Sequence, residues 1–245
     1  MDFSLILPTL GDKAKVKMFL DSVERTTRKK SRIEVLFAID EGKTDIIDFV
    51  EKQGYTFPTI FFERPSTSNF SNDYYNWLAN RSNGDNIWAC NDDIRIRTGW
   101  WDDKIREKID RHQWSIYLVD TKESTRGKIN HGFCCFPIIS RRAVNELGFF
   151  FYPQIRVYPA DKIIYELFQK IDRVIDAQDV IINSKYVSED KNPRMWKIFQ
   201  EDLKAGLMEI NITPEVIKLL MSGKDDAGPK KDSKLRRIIN IIREK

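Results

Sequence analysis

Apolar residues in the N-terminal part of the chain occur either in short continuous runs or at helical spacing. The continuous runs predict buried β-strands at residues 3–7, 33–39, 59–62 and 86–90. Apolar positions three and four residues apart predict helices between them, at residues 12–27, 45–53 and 69–81, the last with Tyr75, Leu78 and Ala79 on its buried face. This alternation predicts an α/β fold with a mostly parallel sheet covered by helices on both faces.

The pattern becomes less regular beyond residue 115. Apolar runs predict further strands at residues 115–119, 132–139 and 173–183. Helical spacing predicts helices at residues 140–147 and 160–170, with an aromatic loop at residues 148–153 between them. The C-terminal part predicts a helical extension (191–222), a polar linker (223–233) and a basic amphipathic helix (234–245).

Polar residues follow three of the predicted strands. Pro8 and Thr9 follow the first strand, Asp40 ends the second, and residues 91–93 (Asn-Asp-Asp) follow the fourth. Ligands of parallel sheets bind beyond the carboxyl ends of the strands. We therefore expect these three polar clusters to line one crevice.

The adjacent carboxylates Asp92 and Asp93 are the most informative chemical feature. Desolvating two like charges side by side is costly, and a divalent cation would relieve that cost. Oxygen ligands suit Mg²⁺ or Mn²⁺, which keep open positions for substrate phosphates. The alternative interpretation is a polar turn at a strand end. The chain has two histidines, His112 and His131, which excludes a histidine-rich metal site.

Composition limits the remaining classes. Apolar residues make up 41% of the chain, but no run approaches the roughly 18 residues that a membrane span requires. The N-terminus lacks a basic region and predicts a strand, not a signal peptide. The three cysteines have no zinc-type spacing, so we expect free thiols and a cytoplasmic protein. Residues 228–245 hold seven Lys or Arg against two acids, so the net charge of +4 comes from this tail.

Several segments together resemble the GT-A glycosyltransferases, in particular family two, whose inverting enzymes use nucleotide-sugar donors. They are Ser4-Leu-Ile-Leu-Pro-Thr9, Ile33-Glu-Val-Leu-Phe-Ala-Ile-Asp40-Glu-Gly, Asn72-Asp-Tyr-Tyr-Asn76-Trp-Leu-Ala79 with Gly84-Asp85, Asn91-Asp92-Asp93, and Gly132-Phe-Cys-Cys-Phe-Pro-Ile-Ile-Ser-Arg-Arg142. The resemblance implies a Rossmann-like GT-A domain over residues 1–190. Its nucleotide-binding half would be residues 1–93 and its acceptor half residues 94–190.

The resemblance also implies a donor site for a nucleotide diphosphate sugar. Asp93, with Asp92, would hold Mn²⁺ or Mg²⁺ at the diphosphate. Asn91 stands where the family has its first metal-motif Asp, and it could bind a ribose or a metal-bound water. Asp40 would accept from a nucleobase N–H, which suits uracil, and Pro8 and Thr9 would line the same pocket.

Asn72 and Asn76 lie four residues apart and share one helix face. They are either a polar pair at the start of a helix or contacts to the donor.

Other residues are expected on the acceptor side. Asp161 lies where the family has its catalytic acid and would act as general base; the alternative is an ordinary acid in the first turn of a helix. Of Trp100 and Trp101, we expect one in the core and the other as a stacking wall for a sugar. His131 is either a polar residue near the acceptor or a surface residue.

Four alternatives stay open at this point. The acceptor could be a glycan, a lipid-linked sugar or a modified DNA base, as in some phage enzymes. A nucleotidyltransferase would share the sheet and the metal requirement. Such an enzyme is expected to have a glycine-rich loop with several Arg and Lys residues after the first strand, and Thr9-Leu-Gly-Asp-Lys13 has only one glycine and one lysine. A third alternative is an inactive nucleotide-binding module. It would explain why Asn91 replaces the first Asp of the family's metal motif, and why residues 181–190 lack the histidine ligand that many members of the family have late in the domain. The C-terminal helix could dock on the body or on a second subunit, follow nucleic acid phosphates, or bind peripherally to a membrane.

Overall fold

The computed structural model describes residues 1–124, 132–184, 197–198 and 201. The described residues form an eight-stranded sheet with the strand order β3-β2-β1-β4-β7-β6-β8-β5. The strands are β1 (Phe3–Thr9), β2 (Ile33–Asp40), β3 (Thr59–Arg64), β4 (Asn86–Ala89), β5 (Ile94–Ile96), β6 (Leu118–Glu123), β7 (Ile138–Ser140) and β8 (Val174–Ser184).

Helices connect most of these strands. They are α1 (Lys13–Thr26), α2 (Asp45–Glu51), α3 (Trp77–Ala79), α4 (Trp101–His112), α5 (Arg141–Leu147) and α6 (Ala160–Lys170). A π-helical turn, Ser71–Asn76, leads directly into α3, and a 3₁₀ turn, Lys30–Arg32, precedes β2. Asp12 caps α1 by accepting from two backbone N–H groups, and Gly148, at a φ of 77°, ends α5.

The direction of the strands confirms the mostly parallel sheet. β1, β2, β3 and β4 run parallel, and β6 and β8 pair in parallel with each other. β7 lies antiparallel between β4 and β6, so β6 runs in the same direction as β4. β5 pairs antiparallel with β8 at the end of the sheet. All strands except β5 and β7 therefore end at one edge, which we call the carboxyl edge.

Burial on both faces explains the continuous apolar runs of the central strands. Phe3, Leu5 and Leu7 of β1 pack on the side of α1 and α4, whereas Ile6 packs on the side of α3, α5 and α6. A strand covered on both faces has no polar face, so its sequence does not alternate.

The structure corrects the predictions in several places. The helix α4 and the short strand β5 were not predicted, and β6 extends to Glu123, beyond the predicted end at residue 119. The predicted strand at residues 132–139 is reduced to the three residues of β7. In the segment before α3, Tyr74 is buried and Tyr75 only half-buried, because the π-helical turn rotates the buried face away from α-helical spacing.

Most of the predicted C-terminal segments, at residues 191–222, 223–233 and 234–245, lie outside the described residues. Of these, the structure describes residues 197, 198 and 201. Ile198 is buried and its carbonyl accepts from Arg156, and Glu201 pairs with Arg156 at 3.0 Å. Among the described residues, we find no helix with the length and apolar character needed to cross a membrane.

Candidate functional site

The carboxyl edge brings together the polar ends of strands that are distant in the sequence. The Thr9 hydroxyl, at the end of β1, donates to Asp92 Oδ2 at 2.6 Å. The Gly11 N–H in turn donates to Thr9 Oγ1 at 3.1 Å. This pair fixes the turn after β4 against the end of β1, as the predicted crevice requires.

The two adjacent carboxylates are desolvated. Burial raises the pKa of Asp92, the Thr9 hydroxyl opposes that rise, and the neighbouring Asp93 charge adds to it. Burial also raises the pKa of Asp93, and the Lys15 ammonium opposes it. Asp93 Oδ1 is buried and has no hydrogen-bond partner. A buried carboxylate oxygen without a partner fits a site for a hard cation.

The protein itself supplies few ligands to such a cation. Within the described ranges, no group of three or more His, Cys, Asp or Glu side chains is arranged to hold a metal ion. Asn91 is held by Tyr75, whose hydroxyl lies 2.7 Å from Asn91 Oδ1 and 3.0 Å from the Cys90 carbonyl. An ion bound by Asp92 and Asp93 would take its remaining ligands from phosphate oxygens and water.

Asp40 lies at the end of β2 and is half-buried. One of its oxygens, Oδ1, accepts from the Tyr74 hydroxyl. This contact orients the carboxylate and leaves the second oxygen as an acceptor at the edge. Pro8 is half-buried beside it in the sheet, in register with Ala38 of β2.

The two asparagines of the predicted pair have separate roles. Asn76 is buried, donates to the Phe151 carbonyl at 2.7 Å, and accepts from the N–H groups of Phe150 and Phe151. Its amide therefore holds the aromatic loop in place. Asn72 is exposed and donates to Asp73 at 3.0 Å.

Asp161 lies in the first turn of α6. Its Oδ1 accepts from the Lys162 N–H at 2.8 Å. Burial raises the pKa of Asp161 to about 7, and the Glu123 carboxylate adds to the rise. A carboxyl group that titrates near neutrality is suited to general base catalysis.

Glu123 is a residue of this edge that the sequence analysis missed. It is the last residue of β6, and its Oε1 accepts from the hydroxyl of Ser184, the last residue of β8. Its charge raises the pKa of both Asp93 and Asp161, so it lies within electrostatic range of both. The strand-end rule would have found it if the strand at 115–119 had been extended to Glu123.

The structure places Trp101 away from this edge. Its ring is fully buried against Phe3 and Trp88, at 5.1 and 4.8 Å between centroids, and its Nε1 donates to Thr27. Trp101 is therefore the tryptophan of the pair that was expected in the core, and its fully buried ring leaves it no acceptor-side role.

Trp100 also lies away from the carboxyl edge. It is 62% exposed, its N–H donates to the Thr26 carbonyl, and the Arg28 guanidinium lies 5.1 Å from its ring. Thr26 is the last residue of α1 and Arg28 follows that helix, whose end lies at the opposite edge of the sheet, so the sugar-stacking role expected for Trp100 is not supported. His131 lies outside the described residues.

No protein-family profile and no curated protein sequence matches this chain. Solved structures do match. S. aureus TarS 1–349 in complex with UDP-GlcNAc aligns with 91% of this chain and 71% of its own, at a TM-score of 0.63 and 13% identity. The mannosyltransferase PcManGT from Pyrobaculum calidifontis, in complex with GDP-Man and Mn²⁺, aligns with 90% of this chain and 68% of its own, at a TM-score of 0.61 and 13% identity.

GalNAc-T7 with UDP, GalNAc and Mn²⁺ gives a TM-score of 0.63 at 10% identity, over 91% of this chain and 54% of its own. The chain has the GT-A fold. It spans 42% of the length of the longer TarS structure, which it matches at a TM-score of 0.63 and 15% identity. At these identities the similarity establishes the GT-A architecture alone.

Proposed function

We propose that this GT-A protein is a metal-dependent glycosyltransferase that moves a sugar from a nucleotide diphosphate sugar, preferably a UDP-sugar, to a hydroxyl acceptor. The observation that carries the proposal is the desolvated Asp92–Asp93 pair at the carboxyl edge, with the unpartnered Asp93 Oδ1. The GT-A neighbours that bind UDP, UDP-GlcNAc or GDP-Man support it.

Asp93, together with Asp92, would hold a divalent cation, Mn²⁺ or Mg²⁺. Such an ion supplies positive charge that neutralises a leaving diphosphate. Thr9 contributes by fixing Asp92 through its hydroxyl at 2.6 Å. Two neighbours contain Mn²⁺, which supports the choice of ion.

The nucleoside would lie along the ends of β1 and β2. Asp40, oriented by Tyr74, would accept from the imide N–H of uracil, and Pro8 and Thr9 would line the base pocket. Asn91, held by Tyr75, would face the ribose or a metal-bound water. Asn76 would support the donor site indirectly, by holding the aromatic loop in place. Asn72, which is exposed, would contact the donor directly.

Asp161 would act as general base. As the acceptor hydroxyl oxygen bonds to the anomeric carbon, the bond from that carbon to the diphosphate breaks, and the hydroxyl proton passes to Asp161. The resemblance to inverting enzymes implies a single displacement. With a pKa of about 7, Asp161 is substantially ionised at neutral pH and still basic enough to accept a proton.

The acceptor belongs to one of three classes: a glycan, a lipid-linked sugar or a modified DNA base. We propose a cytoplasmic enzyme in which residues 234–245, predicted from the sequence to form a basic amphipathic helix, mediate peripheral membrane binding or self-association.

A second candidate function is an inactive module that binds nucleotide sugars. Two observations favour it: Asn91 in place of an acid, and fewer than three clustered metal-binding side chains among the described residues. Such a module would bind a nucleotide without turnover and without a metal requirement.

Donor hydrolysis separates these functions. UDP-GlcNAc, UDP-glucose and GDP-mannose are incubated with the full chain, with Mn²⁺ or with EDTA, and nucleotide release is measured. We expect Mn²⁺-dependent release of UDP, lost in Asp93→Asn and retained in Asp172→Asn, a control at an exposed acid after α6. Nucleotide binding without any release would support the inactive module.

A further inference from the structure

Trp100 combines an exposed ring with a strained backbone. Its ring is 62% exposed, although the neighbouring Trp101 is fully buried. Its backbone has a φ of 57° and a ψ of 35°, the left-handed region in which a bulky side chain is strained. The Trp100 N–H donates to the Thr26 carbonyl at 2.6 Å, and the Trp101 ring donates to Thr27, so both residues are fixed against the end of α1. The fold therefore holds Trp100 in a costly conformation and buries little of its ring in return.

Cationic side chains surround this exposed ring. The Arg28 guanidinium lies 5.1 Å from the ring centroid, and Lys29 is the next residue. The side chains of Arg28 and Lys29 are 58% and 47% exposed, whereas that of Asp103, which both contact, is 25% exposed. In the same way, Arg32 is 54% exposed and its partner Asp2 only 7%. The carboxylates lie beneath the cations, so this face presents positive charge to the solvent.

The charged groups form one continuous face. Arg106 contacts Asp2 and Asp102 at 2.7 and 2.8 Å and also pairs with Asp103, which connects the two sets of ion pairs. Arg25, in the last turn of α1, is exposed and has no ion-pair partner among the described residues. We call this face the Trp100 surface, and its exposed members are Trp100, Arg25, Arg28, Lys29 and Arg32.

We propose that the Trp100 surface binds an anionic lipid bilayer, with the indole ring among the headgroups and the cations on the lipid phosphates. Tryptophan rings favour the interface between lipid and water, and each Lys or Arg close to an anionic bilayer adds attraction. Single-stranded nucleic acids stack on successive aromatic side chains, whereas this surface has one exposed ring. The proposal adds a surface of the folded body to the peripheral binding proposed for residues 234–245, and it does not depend on glycosyl transfer.

This contact would also orient the protein. Because β5 runs antiparallel to β8, the segment from β5 to Trp100 leaves the sheet at the edge opposite the carboxyl edge. The Asp92–Asp93 pair lies at the carboxyl edge and would therefore face away from the bilayer. A bilayer-bound form would receive its acceptor from the aqueous side.

The test is co-sedimentation of the full chain with lipid vesicles at near-physiological salt. One set of vesicles contains equal amounts of phosphatidylglycerol and phosphatidylcholine, and the other contains phosphatidylcholine alone. We expect wild type to bind the anionic vesicles and not the zwitterionic ones. Equal binding to both, or binding to neither, would overturn the proposal.

Trp100→Gly is the decisive variant, because glycine takes a φ of 57° without strain and the exposed ring contributes little to the core. We expect it to keep its Tm within a few degrees and to bind anionic vesicles severalfold more weakly. Arg28→Gln, at an exposed position, should weaken binding by about two- to fivefold, the effect of one cation near an anionic surface. Residues 234–245 are the same in all variants, so their contribution cancels.

Leu10→Ala is the matched control, since Leu10 is 63% exposed and follows β1 at the carboxyl edge. It should bind vesicles as wild type does. Wild-type vesicle binding by Trp100→Gly, or by Arg28→Gln if the glycine variant fails to fold, would overturn the proposal. So would an equal loss of binding in Leu10→Ala. A Trp100→Gly variant that loses binding to single-stranded DNA but not to vesicles would assign the surface to nucleic acid instead.

Discussion

Among single residues, Asp161 gives the sharpest prediction about catalysis. Asp161→Asn keeps the shape of the side chain and removes the proton acceptor. We expect transfer or donor hydrolysis to fall by at least about a hundredfold, the lower range for loss of a general base, while UDP binding stays within a factor of two to three. Steady-state kinetics and nucleotide titration measure the two effects. Wild-type turnover in the variant would make Asp161 an ordinary acid in the first turn of α6.

The raised pKa of Asp161 also predicts how stability depends on pH. Its folded pKa of about 7 lies above the ordinary value of 3.8, so between these values the folded state binds more protons than the unfolded state. This group's contribution to stability therefore falls as pH rises from about 4 to about 7. Asn mimics the protonated form at every pH.

Thermal melts of wild type and Asp161→Asn at pH 5 and pH 8 check this sign. We expect the variant to gain in Tm relative to wild type at pH 8 and to differ little at pH 5. The opposite order, with the variant less stable at pH 8, would mean that the ionised carboxylate stabilises the fold.

The residue types of the site could be predicted only in part. Asp92 and Asp93 could be predicted as site residues because desolvating two adjacent acids is costly and because the segments around them resemble the GT-A enzymes. Glu123 could not be predicted in this way, because the second half of β6 is polar and the apolar run that predicts the strand stops before Glu123. The burial of Trp100 and Trp101 could not be predicted either. The first ring is exposed and the second is fully buried, and two adjacent tryptophans give no sequence signal for which one lies in the core.

Among the helices and strands, prediction worked where apolar spacing was long and regular. The helix predicted at residues 160–170 matches the bounds of α6, and its apolar side packs on the sheet. The helix α4 was missed because, of its side chains, only Trp101, Asp102 and Ile105 are buried. Asp102 accepts from the N–H groups of Arg28 and Lys29, a contact between distant segments that no local pattern encodes.

Gly84, in the turn before β4, lies in close contact with the backbone of β1, and this contact predicts the effect of a substitution there. A Cβ at Gly84 would lie 2.5 Å from the Ser4 backbone N and 2.7 Å from the Phe3 carbonyl carbon, so the backbone would have to move. We expect Gly84→Ala to destabilise the fold by about 1–3 kcal/mol, the usual cost of overpacking.

Gly99→Ala is the matched control, because a Cβ there meets nothing within 4 Å. Urea unfolding of both variants measures the difference in free energy of unfolding. Equal stability of the two would show that Gly84 is not tightly packed against β1.

At the scale of the whole molecule, the sheet explains why residues far apart in the sequence form one site. Strands running in one direction place Thr9, Asp40, the Asp92–Asp93 turn and Glu123 at the same edge. The sequence predicted the parallel class of the sheet. It did not predict the insertion of β7 between β4 and β6, because an apolar run predicts a strand but not its direction or its neighbours in the sheet. The GT-A fold is recognised from the full strand order of the sheet and from the solved structures that share it.

The central claim is that Asp92 and Asp93 form a metal-assisted diphosphate site, and the thermal shift of the full chain with UDP tests it most directly. Two carboxylates are too few ligands for a tight metal site, so UDP and Mn²⁺ should bind cooperatively and raise Tm by mass action. We predict a clear shift with UDP and Mn²⁺ together, a much smaller one with either alone, and its loss in Asp93→Ala. An identical UDP shift in Mn²⁺ and in EDTA would contradict the account.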